Sequence, residues 1–261
     1  MALVHHVGWD PRPCERSPWL WPLQAAASHF AEHHDWPTLA DFDAVYRERT
    51  AGLDVAPLTF RANVRKQDKR VDGRIVLSAL YDARISVAHE VPTRERDWHD
   101  FLNMLCFATF PHSKLALHAR QYRCLTERVT DGCTRLPNRR TPEQDALTLF
   151  DEGGVVLATD DSSRLQLMAA DDSAREGLCL ALRDAGKLRV VPFGHALFEH
   201  EIEGLRCPGG ATQVIVPDAA LSDTPMMLRA LDRALAAHIR DRSHFDSPRD
   251  AGQIRLATFA L

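Results

Sequence analysis

The chain reads as an α+β protein, a mostly helical single domain with a small, partly antiparallel sheet. Most of its apolar residues recur at three- and four-residue spacing over helix-length segments. Short β-branched runs at 155–158 and 188–193 lie between those segments. With 261 residues, 45% hydrophobic and 26% charged, the chain can bury one sizeable core without a metal or disulfide to staple it. Residues 1–261 are therefore expected to form one globular domain, with a helical segment over about 1–50 packed on the rest.

The elements follow in order. Residues 19–33 are apolar with a polar end, and Thr38 caps a second helical stretch running to about 49. Trp9, Trp19, Trp21 and Trp36 supply the packing surface of this segment. Residues 57–63 and 75–88 carry β-branched and aromatic side chains, and Arg84-Ile85-Ser86-Val87 alternates, which predicts short strands or a strand-plus-turn and leaves the region's type open. A helix follows Asp97, and Pro111 opens another that runs to about 129, making a helical hairpin. Gly132, Pro137, Asn138, Arg139 and Arg140 mark a polar loop over 130–141. Residues 145–160 read as a β-hairpin: two apolar runs flank Asp151-Glu152-Gly153-Gly154, where glycine would supply positive φ. Helices at 163–170 and 174–185, a strand at 188–193 ended by Gly194, a short helix at 195–203 and a strand at 213–216 come next. Thr224-Pro225 opens a last helix with Leu228, Leu231, Leu235 and Ile239 on one face.

Composition narrows the function classes. A formal charge of -4 gives no basic field to gather nucleic acid, so binding through Arg135, Arg139 and Arg140 ranks last. Six cysteines have no two-residue spacing, which fits a reducing cytoplasm. The opening residues lack the basic flank and apolar run of a secretory signal, and no segment approaches the roughly 20 apolar residues of a membrane span. No nucleophile elbow or phosphate-binding glycine loop is present.

The residues that demand chemistry sit at two helix starts. Arg94, Asp97, Trp98, His99, Asp100 and Asn103 crowd the beginning of a helix that is apolar on nearly every side from 101 to 110. Buried imidazole, carboxylate and amide groups cost roughly 1–3 kcal/mol each when unpaired, so they are partnered or used. His99 and Asn103 share a face, with Asp100 beside it; Asp97 as N-cap makes Asp100 the residue that reaches back to the cap's own N–H. His195 repeats the arrangement, following Gly194 and standing four residues before Glu199. An imidazole at a helix N-terminus is favoured in its neutral form, suited to act as base, donor or metal ligand, and the helix ends attract anions. Lys114 and His118, on one face of the second hairpin helix, are placed to border the same cleft with Arg94, and Asp145 adds a carboxylate. Asp151-Glu152 reads as turn chemistry. His29 and His33 have a metal-compatible spacing but lie at a polar helix end.

In three blocks the chain resembles a family of bacterial proteins known only as a domain of unknown function: Val91-Pro92-Thr93-Arg94 through Trp98-His99-Asp100 to Asn103 with Phe110-Pro111 and Lys114; Asp145-Ala146-Leu147-Thr148-Leu149-Phe150-Asp151-Glu152; and Phe193-Gly194-His195-Ala196-Leu197 with Glu199. The resemblance covers most of the chain and implies no reaction, cofactor or catalytic residue. Asp97 stands where the family usually has asparagine, and either residue caps a helix.

The expectation from the residues is a cytoplasmic hydrolase of a small anionic molecule, working between the two histidine-bearing helix starts. His99 is the general base, oriented by Asp100 or Asn103. His195 and Glu199 bind substrate, donate a proton or hold a divalent metal, while Arg94, Trp98, Lys114 and Asp145 contact substrate. The alternative is a non-catalytic binding or scaffold protein in which the polar cluster is structural.

Overall fold

The computed structural model describes residues 8–63, 70–205, 209–248 and 252–254. Proline shapes its beginning. After a 3-10 turn at Pro13–Glu15, the helix expected at 19–33 is broken by Pro18 and Pro22 into 3-10 turns at Pro18–Leu23 and Ser28–Phe30 around one α turn, α1 (Gln24–Ala27). Helix α2 (Leu39–Arg49) starts at Thr38 with both bonds of a capping box to Asp41. Strand β1 (Thr59–Ala62) pairs in parallel with β4 (Glu90–Thr93), and between them β2 (Arg70–Val71) and β3 (Arg74–Ile75) form a minimal antiparallel ribbon. The strand expected over 75–88 survives only at Ile75. The rest is a 3-10 turn at Leu77–Ala79, α3 (Tyr81–Ala83) and a π turn at Arg84–Ala88, closed by His89 in the left-handed region. The alternation at 84–87 was a property of the one-dimensional pattern, not of a sheet.

The helical hairpin is α4 (Trp98–Thr109) followed by α5 (Pro111–Thr126). Residues 101–108 of α4 are all buried, as its all-round apolar sequence requires. Phe101, Leu102, Leu105 and Phe107 join Leu20, Leu23, Phe30, Phe42 and Phe60 in one cluster, which fastens the N-terminal segment to the hairpin.

The predicted β-hairpin at 145–160 is corrected. Thr141 and Gln144 form a capping box for α6 (Pro142–Gly153), whose Ala146, Leu147 and Phe150 are one buried helical stripe rather than a strand. Only the second half is extended, as β5 (Gly154–Thr159). Neither Gly153 nor Gly154 has positive φ. Gly154 is needed for a different reason: a Cβ there would collide with the carbonyl and ring of Phe150.

Beyond β5 come α7 (Asp161–Ala169), α8 (Asp172–Asp184), β6 (Leu188–Pro192), α9 (His195–Glu203), β7 (Gly209–Ile215), α10 (Asp218–Leu221), α11 (Thr224–Arg240) and β8 (Gly252–Ile254). The main sheet has the order β6-β5-β7-β8; β5 runs antiparallel to β6 and parallel to β7, and β8 runs antiparallel to β7. Every residue of β5 is buried, as a central strand covered on both faces demands. Val156 and Ala158 face Leu147, Phe150, Leu231 and Leu235, while Val155 and Leu157 face Leu167, Cys179, Leu182 and Trp19. The fold is thus a mostly helical α+β domain. Among the described residues no helix is long and apolar enough to cross a membrane.

Candidate functional site

The site forms where two chain junctions are pressed together. The N–H groups of Phe193 and Gly194 both donate to the Gly154 carbonyl at 2.9 Å, seating the end of β6 on the passage from α6 to β5. Gly194 is required by that approach, because a Cβ would overlap the backbone of Glu152 and Gly153. His195, the first residue of α9, is therefore delivered beside the last turn of α6. Its Nδ1 lies 2.8 Å from the carbonyl oxygen of Asp151. A carbonyl only accepts, so Nδ1 carries the hydrogen and Nε2 of the neutral ring presents a lone pair.

The other half comes from the start of α4. The Asp97 side chain accepts the Asp100 N–H at 3.1 Å, fixing the first turn and with it His99. His99 Nδ1 lies 2.9 Å from Glu199 Oε2, and its Nε2 lies 2.9 Å from His195 Nε2. The ring centroids are 4.4 Å apart and the planes cross at 76°. The two helix starts thus meet head to head, each imidazole held from behind through Nδ1. His195 is 4% exposed, whereas the His99 and Glu199 side chains are each 29% exposed, so the pair has a sealed side and an open side.

Electrostatics separates the two rings. The hydrogen bond to Glu199 raises the His99 pKa against the opposing effect of burial, with Glu199, Asp100 and Glu152 adding negative potential. Burial drives His195 down to about 3, helped by the Lys114 cation and by His99. Beneath the two rings Lys114, 1% exposed, donates to Asp151 Oδ1. Burial alone would raise the Asp151 pKa, but Lys114 above all, then His195 and His118, pull it well below the usual carboxylate range.

Glu152 is the residue the sequence reading passed over as a turn. It is exposed in the last turn of α6, and one of its carboxylate oxygens and one ring nitrogen from each of His99 and His195 all lie within 4.8 Å of one another. Among the described residues this is the one group of three metal-capable side chains so gathered.

Of the residues singled out from sequence, His99, His195 and Glu199 are brought into one cluster; the others go elsewhere. Asp100 does not reach back to the cap. Its carboxylate accepts from the Arg94 backbone N–H and from the guanidinium at 2.9 and 3.1 Å, so it positions Arg94 rather than His99. Arg94 also pairs with Asp97 at 3.1 Å and stays half exposed at the rim. Asn103 is buried, donating to the Tyr81 hydroxyl at 3.1 Å, and does not orient His99. Trp98 packs with Trp9 and Trp36 at centroid distances of 5.6 and 5.1 Å, as an aromatic wedge rather than a substrate platform. Lys114 is consumed by Asp151. Asp145 lies in the first turn of α6, six residues or roughly 9 Å of helix from Asp151. His118 does not border the cleft either; it is buried with its Nδ1 2.9 Å from Asp82. His29 and His33 face separate carboxylates, Glu48 at 3.6 Å and Asp41 at 3.9 Å. A surface hollow of about 400 Å³ is lined by Arg128, Cys133, Arg135 and Asn138. That hollow is beyond the far end of α5 from Lys114, fourteen residues from it to Arg128 and about 20 Å of helix away.

The family described as "Protein of unknown function (DUF3025)" matches residues 70–254, more than half of the chain. The chain belongs to the DUF3025 family. No curated protein and no solved structure matched it. The DUF3025 match takes in every member of the cluster, His99, Asp151, Glu152, His195 and Glu199, together with Lys114 beneath it.

Proposed function

We propose that this DUF3025 protein is a cytoplasmic hydrolase of a small anionic molecule, such as a carboxylate or phosphate ester. The observation that carries the reading is the 2.9 Å approach of two Nε2 atoms whose opposite ring nitrogens are both engaged, at a point open to solvent on the His99 side. Such a pair does proton transfer. His99, neutral, takes a proton from the attacking water; Glu199 stabilises the imidazolium, and the same proton passes to the leaving oxygen. Anion binding is supported by two features. Gly194 offers no side-chain cap and α9 has no acid in its first turn. Arg94 adds a guanidinium at the rim.

Purified protein incubated with carboxylic-ester and phosphoester panels should turn over at least one class, with His99→Ala lowering kcat/KM about 10²- to 10⁴-fold while circular dichroism is unchanged. Equal rates for both proteins sink the hydrolytic reading. A structural role for the cluster is favoured by the buried Lys114 and Asp151 pair. It predicts instead no turnover and a melting temperature several degrees lower in His99→Ala.

A further inference from the structure

We infer that the cluster is a binding site for one divalent transition-metal ion of the zinc class, held by His99 Nε2, His195 Nε2 and the Glu152 carboxylate, with a fourth position open to water. The starting point is an electrostatic conflict. With both Nδ1 atoms bonded to oxygen acceptors, both Nε2 atoms of neutral rings aim lone pairs at one another across 2.9 Å. Something positive must stand between them. A single proton would suffice for two histidines alone, but it gives no part to Glu152, whose carboxylate lies within 4.8 Å of a ring nitrogen of each from a third element.

The surroundings match what ligating imidazoles have behind them. A histidine that binds metal through one nitrogen donates the other N–H to a carboxylate or a backbone carbonyl, which fixes the tautomer and raises its basicity. Here His99 has the carboxylate, Glu199, and His195 has the carbonyl, that of Asp151. Two imidazoles and one carboxylate select zinc, iron or manganese over calcium and magnesium, which favour all-oxygen shells. Metal–nitrogen bonds of about 2.0–2.1 Å in a tetrahedral shell require the two Nε2 atoms to be about 3.3 Å apart, so the rings need to part by only a few tenths of an ångström. Glu152 must close from within 4.8 Å, a movement its exposed side chain makes by changing rotamer. The ligands come from the start of α4, the end of α6 and the start of α9, and their junctions are locked by Gly154 and Gly194.

The inference rests on the hydrolytic reading in treating the cluster as a working site, and it deepens that reading: an ion with an open position acidifies its bound water, so activation by the ion takes the place of base catalysis by His99.

The test uses full-length protein freed of any affinity tag, stripped with chelator and titrated with Zn²⁺ by calorimetry and with Co²⁺ by visible absorption. One ion per chain is expected, with cobalt d–d bands typical of four-coordinate nitrogen and oxygen ligation. His99→Gln should abolish uptake, Glu152→Gln should weaken it at least tenfold, and Glu199→Gln should weaken it about 10- to 100-fold. The double variant His29→Ala, His33→Ala should bind like wild type. Absence of uptake, or equal uptake by wild type, Glu152→Gln and Glu199→Gln, overturns the site; because Glu152 is exposed, its variant decides even where His99→Gln fails to fold. Ion binding without turnover on the ester panels sustains the metal site and removes only the hydrolytic reading. Turnover by the stripped protein that added metal does not change, with no ion bound, overturns the metal site and leaves the hydrolytic reading standing.

Discussion

The two histidine-bearing helix starts solve the same problem by opposite means. At the start of α9 the ring is sealed, its Nδ1 is fixed by a main-chain carbonyl, and the support below it is the buried pair of Lys114 and Asp151. At the start of α4 the ring is partly open, its Nδ1 is fixed by a side chain, and the charges beside it range from exposed Arg94 through partly exposed Asp97 to largely covered Asp100. The difference teaches where rigidity and where reactivity lie. A buried, main-chain-held imidazole stays neutral, whereas a carboxylate-held one at the surface is free to gain and lose a proton.

Three substitutions test that contrast by stability alone, read from urea or thermal unfolding. The largest effect is expected on the sealed side. Lys114→Met strips the cation from Asp151 and leaves a carboxylate with few polar neighbours, which should cost about 3–5 kcal/mol. The sign of the pH effect follows. Because the folded Asp151 pKa lies below its unfolded value of 3.8, its contribution is present above about pH 3.8 and is lost as pH falls through the folded pKa. Wild type should therefore lose stability on acidification below pH 3.8 more steeply than Lys114→Met does. Gly194→Ala comes next: the added methyl meets the Glu152 main chain, and forcing it in should cost about 1–3 kcal/mol. Asp97→Ala, on the open side, should cost only about 1 kcal/mol, the usual loss of an N-cap. If the open side proves as sensitive as the sealed one, the contrast fails.

What could be read in advance follows the range of the interactions. Helix α9 has its observed bounds in the sequence, because Gly194, the apolar spacing and the following Gly204 are local signals. The starts of α4 and α11 were legible for the same reason, through Asp97 and Thr224-Pro225. Helix α6 was misread because its buried stripe of Ala146, Leu147 and Phe150 is short enough to pass for a strand, and because Gly153-Gly154 imitates a turn. The capping box of Thr141 and Gln144 was the signal that would have corrected it. Glu152 then followed the error. Its place beside two imidazoles depends on the β6–α9 junction, some forty residues on, landing against it. Trp98 shows the same limit: Trp9, stacked on it, and Trp36, edge-on to it, are sixty or more residues away in sequence. Spacing along one helix says which residues share a face, but not whether aromatic rings or solvent cover that face.

The beginning of α5 has no cap of its own, since Phe110 offers no acceptor. The backbone N–H groups of His112 and Ser113 are taken instead by the Asp232 carboxylate, at 3.0 and 2.8 Å, from a helix more than a hundred residues later. On the ribosome, the segment that carries Lys114 must wait for that late aspartate to emerge before its opening turn is satisfied. Assembly of the histidine pair's foundation is in this way tied to synthesis through Asp232, so a nascent product shorter than that would lack the anchored start of the helix that carries Lys114.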